Sequence, residues 1–193
     1  MKSFVNFLSI FRIVAAFAIV PMLLYQWYLL TVILFALACI SDFFDGLLAK
    51  RYNVVTKLGS VLDHIGDKFL VVNALVLTIM FLQIWLVIIP AILMICRELY
   101  VSGLREFLGT QKISMPVPSP RMSMAKVKNT LQMVSIGAIF LWIYSINAGY
   151  MNAFMARYLL FIGVAGLWLS LIASLWSAGQ YTLVFWDKVK KLK

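Results

Sequence analysis

Acidic residues are scarce in this chain: seven Asp and Glu stand against seventeen Lys and Arg in 193 residues, for a formal net charge of +10. All charged residues together make up 12%, about half the share of a soluble domain. With 64% hydrophobic residues and a mean hydropathy of +0.98, that shortage excludes a water-soluble globular domain. Cysteine is down to two residues, Cys39 and Cys96, both inside apolar runs. They read as packing residues rather than a disulfide framework. The single histidine, His64, reads as a packing or interfacial side chain, with a supporting role behind a site as the alternative. Proline is concentrated in one stretch, Met115–Pro120, so the chain is expected to form a single domain over 1–193. The basic excess does not point to nucleic acid, because the Lys and Arg residues flank apolar runs. An anionic lipid surface, or an anionic substrate lying at it, is the expected partner.

Six apolar segments are long enough to span a bilayer: roughly 8–24, 28–48, 60–82, 85–108, 124–144 and 153–176. Each approaches the ~20 residues needed to cross ~30 Å of hydrocarbon. The expected fold is therefore an all-α integral membrane protein, six transmembrane helices in one bundle. The first run is interrupted by Arg12 and has no small-residue cleavage site after it, so it is expected to stay as a helix. Lys2 and Arg12, then Lys50, Arg51 and Lys57, then Arg105 to Lys128, and finally Lys188 to Lys193 cluster at alternate ends of the runs. The intervening loops are aromatic-rimmed and uncharged, and by the positive-inside rule both termini are cytoplasmic.

Against that background the acids are conspicuous. Asp42-Phe-Phe-Asp45-Gly46-Leu-Leu-Ala49-Lys50 closes one run, and Gly59-Ser-Val-Leu-Asp63-His-Ile-Gly-Asp67 opens the next. Carboxylates three or four apart share a helix face. Helix rise puts Asp42 and Asp67 at matched depths, about 12 Å from the same ends of their segments. Four acids converging there repel one another unless a cation joins them, and oxygen-only ligands suit Mg²⁺ or Mn²⁺. Intramembrane ionisable groups mark functional sites by default; the bland alternative is a polar knot in which these Asp residues pair with Lys68, Arg97 and Lys126.

Two divalent ions bridged by carboxylates stabilise the attacking and leaving oxygens of a displacement at phosphorus. Asp42, Asp45, Asp63 and Asp67 are the candidate metal ligands, and Asp67 is also the candidate catalytic base for an attacking hydroxyl. Gly46 allows close approach of a phosphate or nucleotide to the helix backbone. Lys50 and Thr56 offer a cation and a hydroxyl to it. A small anionic acceptor needs several cations, and Arg105, Lys126 and Lys128 are the candidates, with Arg97 held by Glu98 or Glu106 as a further one. A solvated rim is the plain alternative for Arg105.

The pattern Asp42-x2-Asp45-Gly46-x2-Ala49-Lys50-x8-Gly59-x3-Asp63-x3-Asp67 resembles the signature of the CDP-alcohol phosphotransferase family. Lys50 stands where the family pattern has Arg, and His64-Ile-Gly66 departs from the Pro and Ala often found there. Asn6-Phe-Leu-Ser9-Ile-Phe-Arg12 with Pro21 is similar to the family's amino-terminal segment. Arg97-Glu98-x4-Gly103-Leu-Arg105-Glu106 and Lys126-Val-Lys128-Asn-Thr130-Leu-Gln132 resemble the branch that makes phosphatidylglycerophosphate. The resemblance implies a six-helix homodimer in the bacterial inner membrane, active site toward the cytoplasm, with two divalent ions at the four Asp residues. It implies CDP-diacylglycerol held by Asn6, Ser9, Gly46, Lys50, Thr56 and Gly59, and sn-glycerol 3-phosphate as acceptor. Relatives that use serine, inositol phosphate or phosphatidylglycerol share the Asp pattern, so another acceptor is the alternative. A divalent-cation carrier is the alternative from a different class.

Overall fold

Backbone N–H and C=O groups that leave water must be satisfied within their own segment, so long apolar runs become continuous helices. The computed structural model is all-helical in its described residues: α1 (Lys2–Leu24), α2 (Tyr28–Tyr52), α3 (Lys57–Leu82), α4 (Trp85–Thr110), α5 (Ser123–Ala148) and α6 (Ala153–Lys190). The structure describes residues 2–52, 57–110, 123–149 and 152–190, and side chains within 7–42, 59, 61–62, 64–110, 128–149 and 152–190. Five of the helices are long and apolar enough to cross a membrane. In α2 the apolar stretch within the described side chains is Tyr28–Asp42.

Where the helices run past the apolar segments, the larger extensions lie at the charged ends. α1 starts at Lys2, α2 runs on to Tyr52, and α6 continues fourteen residues beyond Trp176, to Lys190. Hydropathy marks only the buried stretch of a helix, whereas hydrogen bonding carries it on into the interface. That extension of α6 adds about 21 Å, and it proves important for the site.

Connections of three residues, 25–27, and two residues, 83–84, turn α2 and α4 back antiparallel to the helix before. The core is an apolar column built from Ala15, Ala16 and Ile19 of α1, Phe35 and Ala38 of α2, and Leu70, Ala74 and Leu75 of α3. Met94 of α4, Ile136, Ile139 and Phe140 of α5, and Leu167 of α6 complete it. Between apolar helices in lipid the attraction comes from close packing and from polar contacts rather than from burial against water. α5 and α6 meet over Gly163 and Gly166: a Cβ at Gly166 would lie 2.1 Å from Ser135 Oγ, and one at Gly163 2.6 Å from Ile139 Cγ1. Pro90 of α4 has no N–H for the Leu86 carbonyl, and Trp168 Nε1 of α6 donates to that oxygen at 3.0 Å. Asn73 Nδ2 of α3 likewise donates to Ala16 O of α1 at 2.8 Å. Each such bond answers a backbone group or a polar side chain that lipid cannot.

Candidate functional site

The antiparallel arrangement brings the start of α1, the end of α2 and the start of α3 together. Arg12 lies ten residues into α1, Asp67 ten into α3, and Asp42 ten before the end of α2. All three are thus about 15 Å from the same end of the bundle, a little deeper than the sequence suggests because the helices extend further. Arg12 Nη1 donates to Asp42 Oδ1 at 2.6 Å and also to Asp67 Oδ1. The Arg12 side chain is fully buried, while both carboxylates remain 29% exposed. α1 and α3 pack closely here at Gly66: a Cβ there would meet Ser9 O and Ile13 Cγ1 at 3.4 Å and Arg12 Cβ at 3.5 Å, ordinary contact distances. Among the described residues the partner of the two acids is therefore Arg12, and not the Lys68 or Arg97 of the polar-knot alternative; the Lys126 side chain lies outside the described residues.

Of the four candidate metal ligands, Asp42 and Asp67 point to one common position. The Asp45 and Asp63 side chains lie outside the described residues, as do those of Asn6, Gly46, Lys50 and Lys126, and all of Thr56. Ser9 and Gly59 are buried, Ser9 in contact distance of the α3 glycine. Among the described residues no cluster of three metal-ligating side chains is formed. The position where the two carboxylates meet nonetheless carries a cationic group, and hard carboxylate oxygens from two helices suit a divalent ion there.

A second polar centre lies on the other side of α3. Glu98 Oε1 accepts from Arg97 Nη1 at 2.9 Å and from Lys128 Nζ. Arg97 is held again from α6, where Nε donates to Ser174 O and Nη2 to Ser177 Oγ, both at 3.1 Å. Arg105 Nη2 donates to Tyr181 Oη at 2.9 Å, and its guanidinium carbon lies 5.0 Å from the Tyr181 ring centroid. His64 Nε2 lies 3.3 Å from Arg105 Nη1. These side chains, with Val101, Ser102 and Asn129, line a cavity of about 120 Å³. Arg105 is therefore part of a cavity wall rather than a plain solvated rim.

One helix is common to both centres. His64 and Lys68, four apart, share a face of α3 that looks toward α4, and Lys68 Nζ donates to Ser102 Oγ. Asp67 is offset from Lys68 by one residue, about 100° around the helix, and faces α1 and α2. Lys68 is thus not the charge partner of Asp67 that its place in the sequence suggests. Sequence reasoning also passed over Arg12 and Tyr181. Arg12 carried a signal, a lone cation within an apolar run; Tyr181 sits beyond the last hydropathic segment and carried none.

A third feature is apolar. Between α2 and α5 a groove of about 330 Å³ is lined by Val32, Phe35, Cys39, Gly137, Phe140 and neighbouring residues. Cys39, on the groove wall, is one helical turn from Asp42 of the first centre.

The description of the CDP-alcohol phosphatidyltransferase family matches residues 3–176, which takes in all four Asp residues and most of both polar centres. The chain belongs to that family. Curated CDP-alcohol phosphatidyltransferases similar to it carry the name CDP-diacylglycerol–glycerol-3-phosphate 3-phosphatidyltransferase. One from Cereibacter sphaeroides is 42% identical over 144 residues, 70% of this chain and 62% of that protein. One from Rickettsia typhi is 41% identical over 149 residues, 73% of this chain and 78% of its own length. One from Salmonella paratyphi A is 35% identical over 179 residues, 90% of each chain. The family likeness stops at residue 176, short of the α6 extension that brings Ser177 and Tyr181 to the second centre.

Proposed function

We propose that this chain transfers the phosphatidyl group from CDP-diacylglycerol to sn-glycerol 3-phosphate, giving phosphatidylglycerophosphate and CMP. The observation that carries the choice of acceptor is the small polar cavity walled by Arg97, Arg105 and Lys128, which suits the phosphate of a compact dianion. The names of the relatives agree with it.

In this reading the primary hydroxyl of glycerol phosphate attacks the phosphorus that bears diacylglycerol. A P–O bond forms as the bond to CMP breaks, and the hydroxyl proton passes to Asp67. Arg97, Arg105, Lys126 and Lys128 hold the acceptor's phosphate so that its free hydroxyl faces the pyrophosphate. Asn6, Ser9, Gly46, Lys50, Thr56 and Gly59 hold the donor, and the α2–α5 groove takes an acyl chain from the bilayer. Mg²⁺ or Mn²⁺, two ions held by Asp42, Asp45, Asp63 and Asp67, would supply neutralisation of the pyrophosphate oxygens.

The chain is read as a single domain with all six helices spanning the bacterial inner membrane. Both termini and both polar centres face the cytoplasm, and the protein works as a homodimer. Support for the orientation comes from Arg12, Arg105, Lys128, Lys188 and Lys190, which cluster at one end of the bundle.

The test is CMP release by purified protein from CDP-diacylglycerol on addition of each acceptor in turn. Glycerol 3-phosphate alone is expected to release CMP, with loss on chelation by EDTA and recovery with Mg²⁺ or Mn²⁺. Equal or greater release with serine, inositol phosphate or phosphatidylglycerol would overturn the acceptor, and full activity after chelation would overturn the metal reading.

A further inference from the structure

The cavity that receives the acceptor contains one carboxylate among its cations. We propose that Glu98 is the pocket's own counter-ion: it sets the empty site's charge to match a phosphate monoester dianion and gives up Lys128 to that phosphate on binding. This rests on the acceptor pocket described above and adds a role for a residue that itself is not a ligand of the acceptor.

The charge balance comes from the lining. Arg97, Arg105 and Lys128 are cationic, Glu98 is anionic, and His64, Ser102, Asn129 and Tyr181 are neutral polar groups, taking His64 uncharged. The sum is +2. A phosphate monoester, with a second pKa of about 6, is close to a dianion at pH 7. Lys68 bonds to Ser102 but does not line the cavity.

The geometry separates the two cations that Glu98 holds. Arg97 has two anchors on α6, Ser174 O and Ser177 Oγ, in addition to Glu98. Lys128 reaches Glu98 through a flexible four-carbon stem, and among the described residues Glu98 is the hydrogen-bond partner recorded for its Nζ. An arriving phosphate therefore draws Lys128 away while Arg97 stays fixed by three bonds. Without Glu98 the empty pocket would hold a buried Arg97 and a buried Lys128 with no compensating charge among the described residues, a costly state. The product keeps the same phosphomonoester group, so it too must be released from these cations. Recapture of Lys128 by Glu98 assists that release.

The decisive variants are Glu98→Gln, Lys128→Met and the double variant, in the full-length protein in detergent, assayed for CMP release at fixed CDP-diacylglycerol. Gln is isosteric and can still accept a hydrogen bond. Removing the negative charge should lower the KM for glycerol 3-phosphate about tenfold, lower kcat as product release slows, and make inorganic phosphate a correspondingly stronger inhibitor. A residue that merely braced the helices would instead raise KM or leave it unchanged. Lys128→Met alone should raise KM about tenfold, and the double variant, restored to +2, should return toward the wild-type value.

A raised or unchanged KM in Glu98→Gln overturns the proposal, while a raised KM in Lys128→Met leaves the acceptor pocket standing. An unchanged KM in Lys128→Met overturns the pocket and the Glu98 role with it. Should Glu98→Gln fail to fold, the double variant decides: a KM near wild type upholds the charge balance. A KM no better than that of Lys128→Met, or failure of the double variant to fold, overturns it.

Discussion

Replacing Arg12 by Ala tests the first polar centre directly. The guanidinium is fully buried and its Nη1 bonds both Asp42 and Asp67, which come from different helices. Truncation leaves two carboxylates facing each other with no cation among the described residues between them, inside an apolar bundle. Removing one partner of a buried ion pair costs about 3–5 kcal/mol. Since both carboxylates are 29% exposed and some water reaches them, the lower figure, about 3 kcal/mol, is the one expected. For a chain of this size that lowers Tm by roughly 6–12 °C.

The sign of the metal response follows from the same geometry. A divalent ion placed between the acids replaces the missing charge, and it no longer meets the repulsion of a guanidinium. Mn²⁺ should therefore raise the Tm of Arg12→Ala by several degrees more than it raises that of wild type, with both measured against EDTA. The assay is thermal unfolding of purified protein in detergent, followed by intrinsic fluorescence from the six tryptophans. An Arg12→Ala Tm equal to wild type in EDTA would refute the clamp. A variant destabilised but no more responsive to Mn²⁺ than wild type would refute the idea that acids and metal share this position.

Three further outcomes are expected. Asp67→Asn keeps the shape but cannot take a proton, so CMP release should fall by about 10²–10⁴-fold while the protein remains monodisperse in detergent; turnover at the wild-type rate would remove Asp67 as base. Tyr181→Phe removes the oxygen that accepts from Arg105, and the freed guanidinium should bind glycerol phosphate several-fold less well, seen as a higher acceptor KM at unchanged KM for CDP-diacylglycerol. Trp168→Phe orphans the Leu86 carbonyl already left without an N–H by Pro90, and should cost about 1–3 kcal/mol in thermal unfolding with little change in kcat.

Much of this protein was legible in its residues alone. Hydropathic length dictates helices in a bilayer, since no other element closes its own hydrogen bonds there. Spacings of three and four put Asp42 with Asp45 and Asp63 with Asp67 on single faces, and short connections make neighbouring helices antiparallel. Matched depth of the acids then follows from counting residues. Even the grouping of Arg97, Arg105 and Lys128, which the structure places around one cavity, could be anticipated, because polar residues in apolar helices are few enough to be sorted by depth.

What sequence could not supply was which charge meets which. Lys68 is the neighbour of Asp67 in the chain but points to Ser102, whereas Arg12, fifty-five residues away, reaches the carboxylate. That choice depends on the rotation of α1 about its axis and on its close packing against α3 around Gly66. Tyr181 joins the second centre for a similar reason. α4 and α6 pack side by side, and α6 remains helical past the end of its apolar run. Periodicity places a side chain on its own helix; only the packing of one helix against another decides the partner it finds.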